Sequence, residues 1–144
     1  PRGYNTGAGK PWLPVRSWMP RIGRRHFQQG AWMRLTDVAT NLSVDPRKLT
    51  DYALDPDHPL GRHKALVFQN VLGFTKANWR ALLRQVEHLA PSGEARLWRT
   101  DGHGRHYCVD IEIEGPTGEH AIVRTGWIVP HGSDEARLTT LYVR

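Results

Sequence analysis

The sequence predicts an α+β fold, with helices first and an antiparallel sheet of about four strands second, the helices packed on one face of that sheet. Apolar residues recur at helical spacing up to Leu89, whereas after Gly93 they alternate with polar ones. Gly115-Pro-Thr-Gly118, lying between two alternating runs, supplies a hairpin turn.

Taking the elements in order, Pro1, Pro11, Pro14 and Pro20 make long helices improbable before about residue 30. From there Trp32, Leu35, Val38, Ala39 and Leu42 fall at near-helical spacing. Asp45-Pro46 offers an N-cap and a first-turn proline for a short helix carrying Leu49, Tyr52, Ala53 and Leu54. A turn-rich stretch, Asp55-Pro-Asp-His-Pro-Leu-Gly61, leads into a helix over about 61–72 with Ala65, Phe68 and Leu72 on its apolar stripe. Gly73 stops it. Thr75 caps a second helix to about residue 89, with Trp79, Leu82, Leu83, Val86 and Leu89 at core spacing and Ala90-Pro91 at its end. The strands follow over 94–100, around 107–114, over 119–129 and over 137–143. The third has apolar residues on both sides, as a central strand does. Asp101-Gly-His-Gly104 is the first turn, and His103 and His106 flank it as loop residues.

A chain of 144 residues is about one domain, read as a basic, Pro/Trp-rich arm over 1–46 followed by an α+β domain over 47–144. The charge is uneven. Residues 1–50 hold nine Lys/Arg against Asp37 and Asp45, while the rest holds eleven basic and twelve acidic residues. In the arm, arginines interleave with Trp12, Trp18, Phe27 and Trp32, a pattern that suits a phosphate backbone with stacked bases; the alternative is a wrapping segment whose rings cover the core. The single cysteine, Cys108, has no partner for an internal disulfide, and no Cys/His cluster has zinc-ligand spacing, so neither metal nor cofactor is expected. The chain starts at Pro1 rather than Met and shows no signal-peptide pattern, as expected of an excised or processed piece of a longer protein.

No Walker loop, H-E-x-x-H or nucleophile elbow is present. What remains is a set of cationic and hydroxyl side chains. His58 and His63-Lys64 sit at the mouth of a helix, where amide N–H groups favour an anion. Arg124 lies in an apolar-rich strand and requires either a ligand or a carboxylate, Asp110 or Glu112. Thr125, Thr140 and Tyr142 are ordinary strand formers that also carry hydroxyls.

Residues 48–65 (KLTDYALDPDHPLGRHKA), Val67-Phe68, Leu72-Gly-Phe-Thr75, Tyr107-x-Val-Asp110, Gly115-Pro-x-Gly118, Val123-Arg-Thr-Gly-Trp-Ile128 and Arg137-Leu-Thr-Thr-x-Tyr142 together resemble an uncharacterised family of bacterial domains. That family is found as stand-alone proteins beside immunity- or antitoxin-like genes and at the C-termini of polymorphic toxins. Its element order is similar to the ribonuclease fold of barnase, RelE and the colicin-type anticodon nucleases, by fold analogy. The resemblance implies a toxin, with RNA as substrate, a cognate immunity protein or antitoxin as partner, and action in the bacterial cytoplasm, with delivery into target cells as part of a larger secreted toxin.

On chemical grounds the expected activity is metal-independent RNA cleavage by attack of a ribose 2′-OH on the adjacent phosphate. His58 is the expected base or acid, and Lys64 and Arg124 the phosphate ligands. Thr140 and Tyr142 orient the reacting groups, while Arg62, His63, Thr125 and Trp127 contact substrate, Trp127 by stacking. Two rivals remain: a non-catalytic nucleic-acid-binding module using the arm, and a toxin of other chemistry such as ADP-ribosyl transfer, for which Glu112 is the only fair acidic candidate.

Overall fold

A computed structural model describes residues 33–144. The arm residues singled out above, from Pro1 to Trp32, lie outside the described residues.

The chain enters the fold clamped to the start of the sheet: the Ala95 N–H donates to the Met33 carbonyl, and Arg34 bridges Glu94. A single helical turn, α1 (Leu35–Val38), follows, its entrance held by the Asp37 carboxylate accepting from the Arg34 N–H at 2.8 Å. The helical spacing continues to Leu42, but the helix does not. Ala39 is extended, and Asn41–Ser43 form β1. The cause is long-range. Thr40 and Asn41 donate their N–H groups to the Asp134 carbonyl, and the Thr40 hydroxyl donates to the Asp134 carboxylate at 2.6 Å, which holds this polar segment beside the sheet. The boundary drawn at residue 46 therefore falls inside the described fold.

The Asp45 carboxylate accepts from the Arg47 N–H, and a π-helical turn spans Leu49–Ala53. The α2 helix (Arg62–Val67) passes into a second π-helical turn, Phe68–Leu72, which Gly73 ends at φ 84°, a conformation that costs glycine little. Thr75 caps the next element: its hydroxyl accepts from Ala77 N–H while the Asn78 side chain accepts from Thr75 N–H. Through a 3₁₀ turn this becomes α3 (Trp79–Leu89), with Leu82 and Val86 fully buried.

Four long antiparallel strands follow: β2 (Arg96–Asp101), β3 (Gly104–Glu114), β4 (His120–Pro130) and β5 (Glu135–Val143). The sheet has five strands rather than about four, ordered β1-β5-β4-β3-β2, and it is mixed because β1 pairs parallel to β5. The described helices are not all N-terminal to the sheet, since β1 precedes α2 and α3 in the chain. The α+β class holds, and β4 is the central strand.

Odd-numbered residues of β3 and β4, Val109, Ile111, Ile113, Val123 and Trp127 among them, join Leu141 of β5 on one face and pack against Phe68, Leu72, Leu82 and Val86. Each fully buried large apolar side chain contributes about 1.5–3 kcal/mol. The β3–β4 turn docks against the end of the Phe68–Leu72 turn so closely that a Cβ on Gly115 would collide with the Leu72 carbonyl. The other face carries the even-numbered residues of β3 and β4, and it is polar. Among the described residues, no helix is long and apolar enough to cross a membrane.

Candidate functional site

On that polar face, the register of β3, β4 and β5 stacks three rungs: Asp110–Arg124–Tyr142, Cys108–Gly126–Thr140 and His106–Ile128–Arg137. A bulge in β5 beside Gly126 and Trp127 keeps Arg137 on the same side as Thr140.

In the first rung, Arg124 donates from Nε and Nη2 to the two Asp110 oxygens at 2.7 and 2.8 Å, and Arg144 Nη1 donates to Asp110 Oδ2 at 3.0 Å. Burial disfavours the Arg124 charge, but the carboxylate more than offsets it and holds its pKa above the ordinary arginine value. Lys64 reaches from α2 to place Nζ 4.4 Å from the centre of the Tyr142 ring. Burial lowers the Lys64 pKa to about 8 and raises that of the Tyr142 phenol. Three cations thus surround the Asp110 carboxylate, with Glu112 and Glu114 of β3 farther along the same face.

In the second rung Gly126 presents bare backbone and Thr140 is buried. A Cβ on Gly126 would lie 3.1 Å from both Thr139 Oγ1 and Thr140 Cγ2. Tyr52 lies near this rung; burial raises its pKa, with the Thr140 hydroxyl acting the other way. Burial also pushes the Cys108 thiol up to about 11, so it is neutral and unreactive near neutral pH.

The third rung floors a cavity of about 670 Å³, rimmed by Asp45 and Lys48 from the segment after β1, His103 from the β2–β3 turn, and Thr139. His106 Nε2 lies 3.0 Å from Asp101 Oδ2, and Arg99 Nε lies 3.2 Å from the same oxygen. Asp101 Oδ1 accepts from the backbone N–H groups of His103 and Gly104. Against the burial that would raise it, the His103 amide, His106 and the Arg99 charge hold the Asp101 pKa at about 2. Burial lowers the His106 pKa, with Asp101 opposing it and Arg99 adding to it. Lys48 is held at about 8 by burial. Among the described residues, no three His, Cys, Asp or Glu side chains group as a metal-ligand set.

Over residues 34–144, the stretch that builds this face, the sequence matches a family model described as Domain of unknown function (DUF6883). The chain belongs to the DUF6883 family. No curated protein and no solved structure matches it.

In this DUF6883 domain, Lys64, Arg124, Thr140 and Tyr142, expected together from the sequence, do share one face. Arg124 is not open to a ligand through its Nε edge, which Asp110 occupies. His58 packs edge-on against Tyr52, ring centres 4.9 Å apart, and its Nδ1 accepts from the Leu60 and Gly61 N–H groups. Those two bonds hold the turn that leads into α2 and take up the nitrogen a base would use. Arg62 and His63 are exposed on the first turn of α2. Thr125 and Trp127 lie on the opposite face: the Thr125 hydroxyl donates to the Val109 carbonyl and accepts from Trp127 Nε1, both at 2.7 Å, and both side chains are buried in the core. A base cannot stack on Trp127 there. His106 is a strand residue, not a loop residue, since β3 begins at Gly104. Asp101, Arg99, Lys48 and Arg137 were not singled out from the sequence. The available signal was the even-numbered alternation that puts His106 in phase with Asp110.

Proposed function

We propose that this DUF6883 domain is a metal-independent endoribonuclease of the bacterial toxin type, and that single-stranded RNA lies along the polar face of its sheet. The observation that carries this reading is that one polar face carries Lys64, Arg124 and Arg144 around Asp110 in its first rung and, two rungs along, an open cavity rimmed by Lys48, His103 and Arg137. Phosphates fit such a row: Lys64 and Lys48 act as point charges, and Arg144 and Arg137, both partly accessible, offer guanidinium edges. Charge that builds on the phosphoryl oxygens during 2′-OH attack is stabilised by fixed cations in a partly water-excluded site. The excess of basic residues over 1–50 favours the same class of polyanion. A toxin acting in the bacterial cytoplasm requires a dedicated inhibitor, and an acidic immunity protein or antitoxin matches this face.

The test is incubation of the purified protein with tRNA, and separately with total RNA, in the presence of EDTA. Discrete fragments are expected, and Lys64→Ala slows their appearance about 100-fold with folding retained. Salt-sensitive RNA binding without fragments would replace the enzyme with a binding module.

A further inference from the structure

We infer that His106, positioned by Asp101, is the catalytic base of the site, and that its substrate is a ribose 2′-OH held over the His106–Ile128–Arg137 rung. The inference rests on the RNA-cleaving reading and adds to it the group that moves the proton.

The geometry is that of an oriented imidazole. Asp101 Oδ2 only accepts, so at 3.0 Å it fixes the proton of neutral His106 on Nε2 and leaves Nδ1 as the basic nitrogen. Asp101 is itself held by two backbone N–H groups and Arg99, so it does not follow a moving ring. His106 is only 4% exposed, yet it lines the cavity, beside Arg137 and Lys48. The charged and titratable groups around it are Asp101 and Arg99 on β2, His103 in the turn, Asp45 and Lys48 across the cavity, and Arg137 on β5. Burial and Arg99 keep the ring neutral at neutral pH, as a base must be.

In the step, His106 Nδ1 takes the 2′-OH proton while the 2′-oxygen bonds to the adjacent phosphorus. The P–O5′ bond breaks, its electron pair goes to O5′, and O5′ takes a proton from a water in the open cavity; the hydroxide so formed takes the proton from the His106 imidazolium, which restores both the water and the neutral base. The products are a 2′,3′-cyclic phosphate and a 5′-hydroxyl, with no water consumed.

The experiment measures the pH profile of kcat/KM on tRNA for the full chain, with RNA binding measured alongside. Wild type should show an acid limb below about 6.5, the ordinary histidine value. His106→Ala and His106→Gln should each lose at least about 100-fold in cleavage while still binding RNA. Asp101→Asn should move the acid limb down and Arg99→Gln should move it up, because the carboxylate favours the imidazolium and the guanidinium opposes it; Asp101→Glu should restore part of the rate. A purely structural role would not shift the limb in opposite directions. Cleavage by both His106 variants within about threefold of wild type, or a limb unmoved by both β2 variants, overturns the assignment of His106 and leaves the RNA-cleaving reading standing. Binding without cleavage by wild type overturns that reading and this inference with it.

Discussion

Replacing Asp110 with leucine tests the electrostatic logic of the polar face directly. The Arg124 side chain is 7% exposed and Asp110 is 22% exposed, so the substitution strands a nearly buried guanidinium whose Nε and Nη2 lose their acceptors. Removing one partner of a buried ion pair costs about 3–5 kcal/mol, and the partial access of water through Asp110 puts this case near the lower figure, about 3 kcal/mol. Loss of the half-exposed Arg144 contact adds less than about 1 kcal/mol. At this size a 3 kcal/mol loss lowers Tm by roughly 10 °C. Urea unfolding followed by tryptophan fluorescence reads the change. Arg124→Leu alone leaves Asp110 with the single partner Arg144, whereas Asp110→Leu with Arg124→Leu removes both charges and should recover to within about 1 kcal/mol of wild type. The reasoning is refuted if Asp110→Leu costs under about 1 kcal/mol, or if the two single losses simply add in the double variant.

Three further outcomes follow from the same structure. Gly115→Ala drives a Cβ into the Leu72 carbonyl and should cost about 2–3 kcal/mol in the same urea titration, because backbone must move to admit it. Lys64, held at about 8 against an ordinary 10.5, is less protonated folded than unfolded between those values, so its contribution to stability rises as pH goes from 8 to 10; Lys64→Met should flatten the slope in part, Lys48 acting in the same sense and Cys108, pushed up to about 11 from 9.0, opposing both above about pH 9. Asp101, held at about 2 against 3.8, contributes stability that is present above pH 3.8 and lost as pH falls through about 2, so the stability gap between wild type and Asp101→Asn should shrink over that range in acid titrations of unfolding.

The parts of the fold that were legible in the sequence are those whose partners are local. The α3 stripe of Trp79, Leu82, Leu83, Val86 and Leu89 and the β3–β4 hairpin around Gly115 announce themselves through spacing and turn chemistry. β1 did not, because three residues with helical neighbours become a strand only through a partner 94 positions away. The two π-helical turns were hidden for a related reason: each adds a residue per turn, which shifts the apolar phase without breaking it. For the site, the need of Arg124 for a carboxylate was readable, and the register selects Asp110 over Glu112. Which face Thr125 and Trp127 occupy was not readable, because β4 is apolar on both sides. Nor was the His106–Asp101 pair, which depends on Asp101 opposing Gly104 and on a register shift in β2 between Leu97 and Arg99.

The parallel pairing of Asn41–Ser43 with the start of β5 has a consequence for how the domain comes into being. Ribosomal synthesis delivers β5 long after β1, and a non-local pairing of this kind is slow to close because the intervening chain must first be brought round. Until β5 arrives, β4 has one open edge, and Arg124 has no Tyr142 beside it. A nascent chain halted before residue 135 therefore carries α2, α3 and β2 to β4 but lacks Arg137, Thr140 and Tyr142, the β5 members of the three polar rungs.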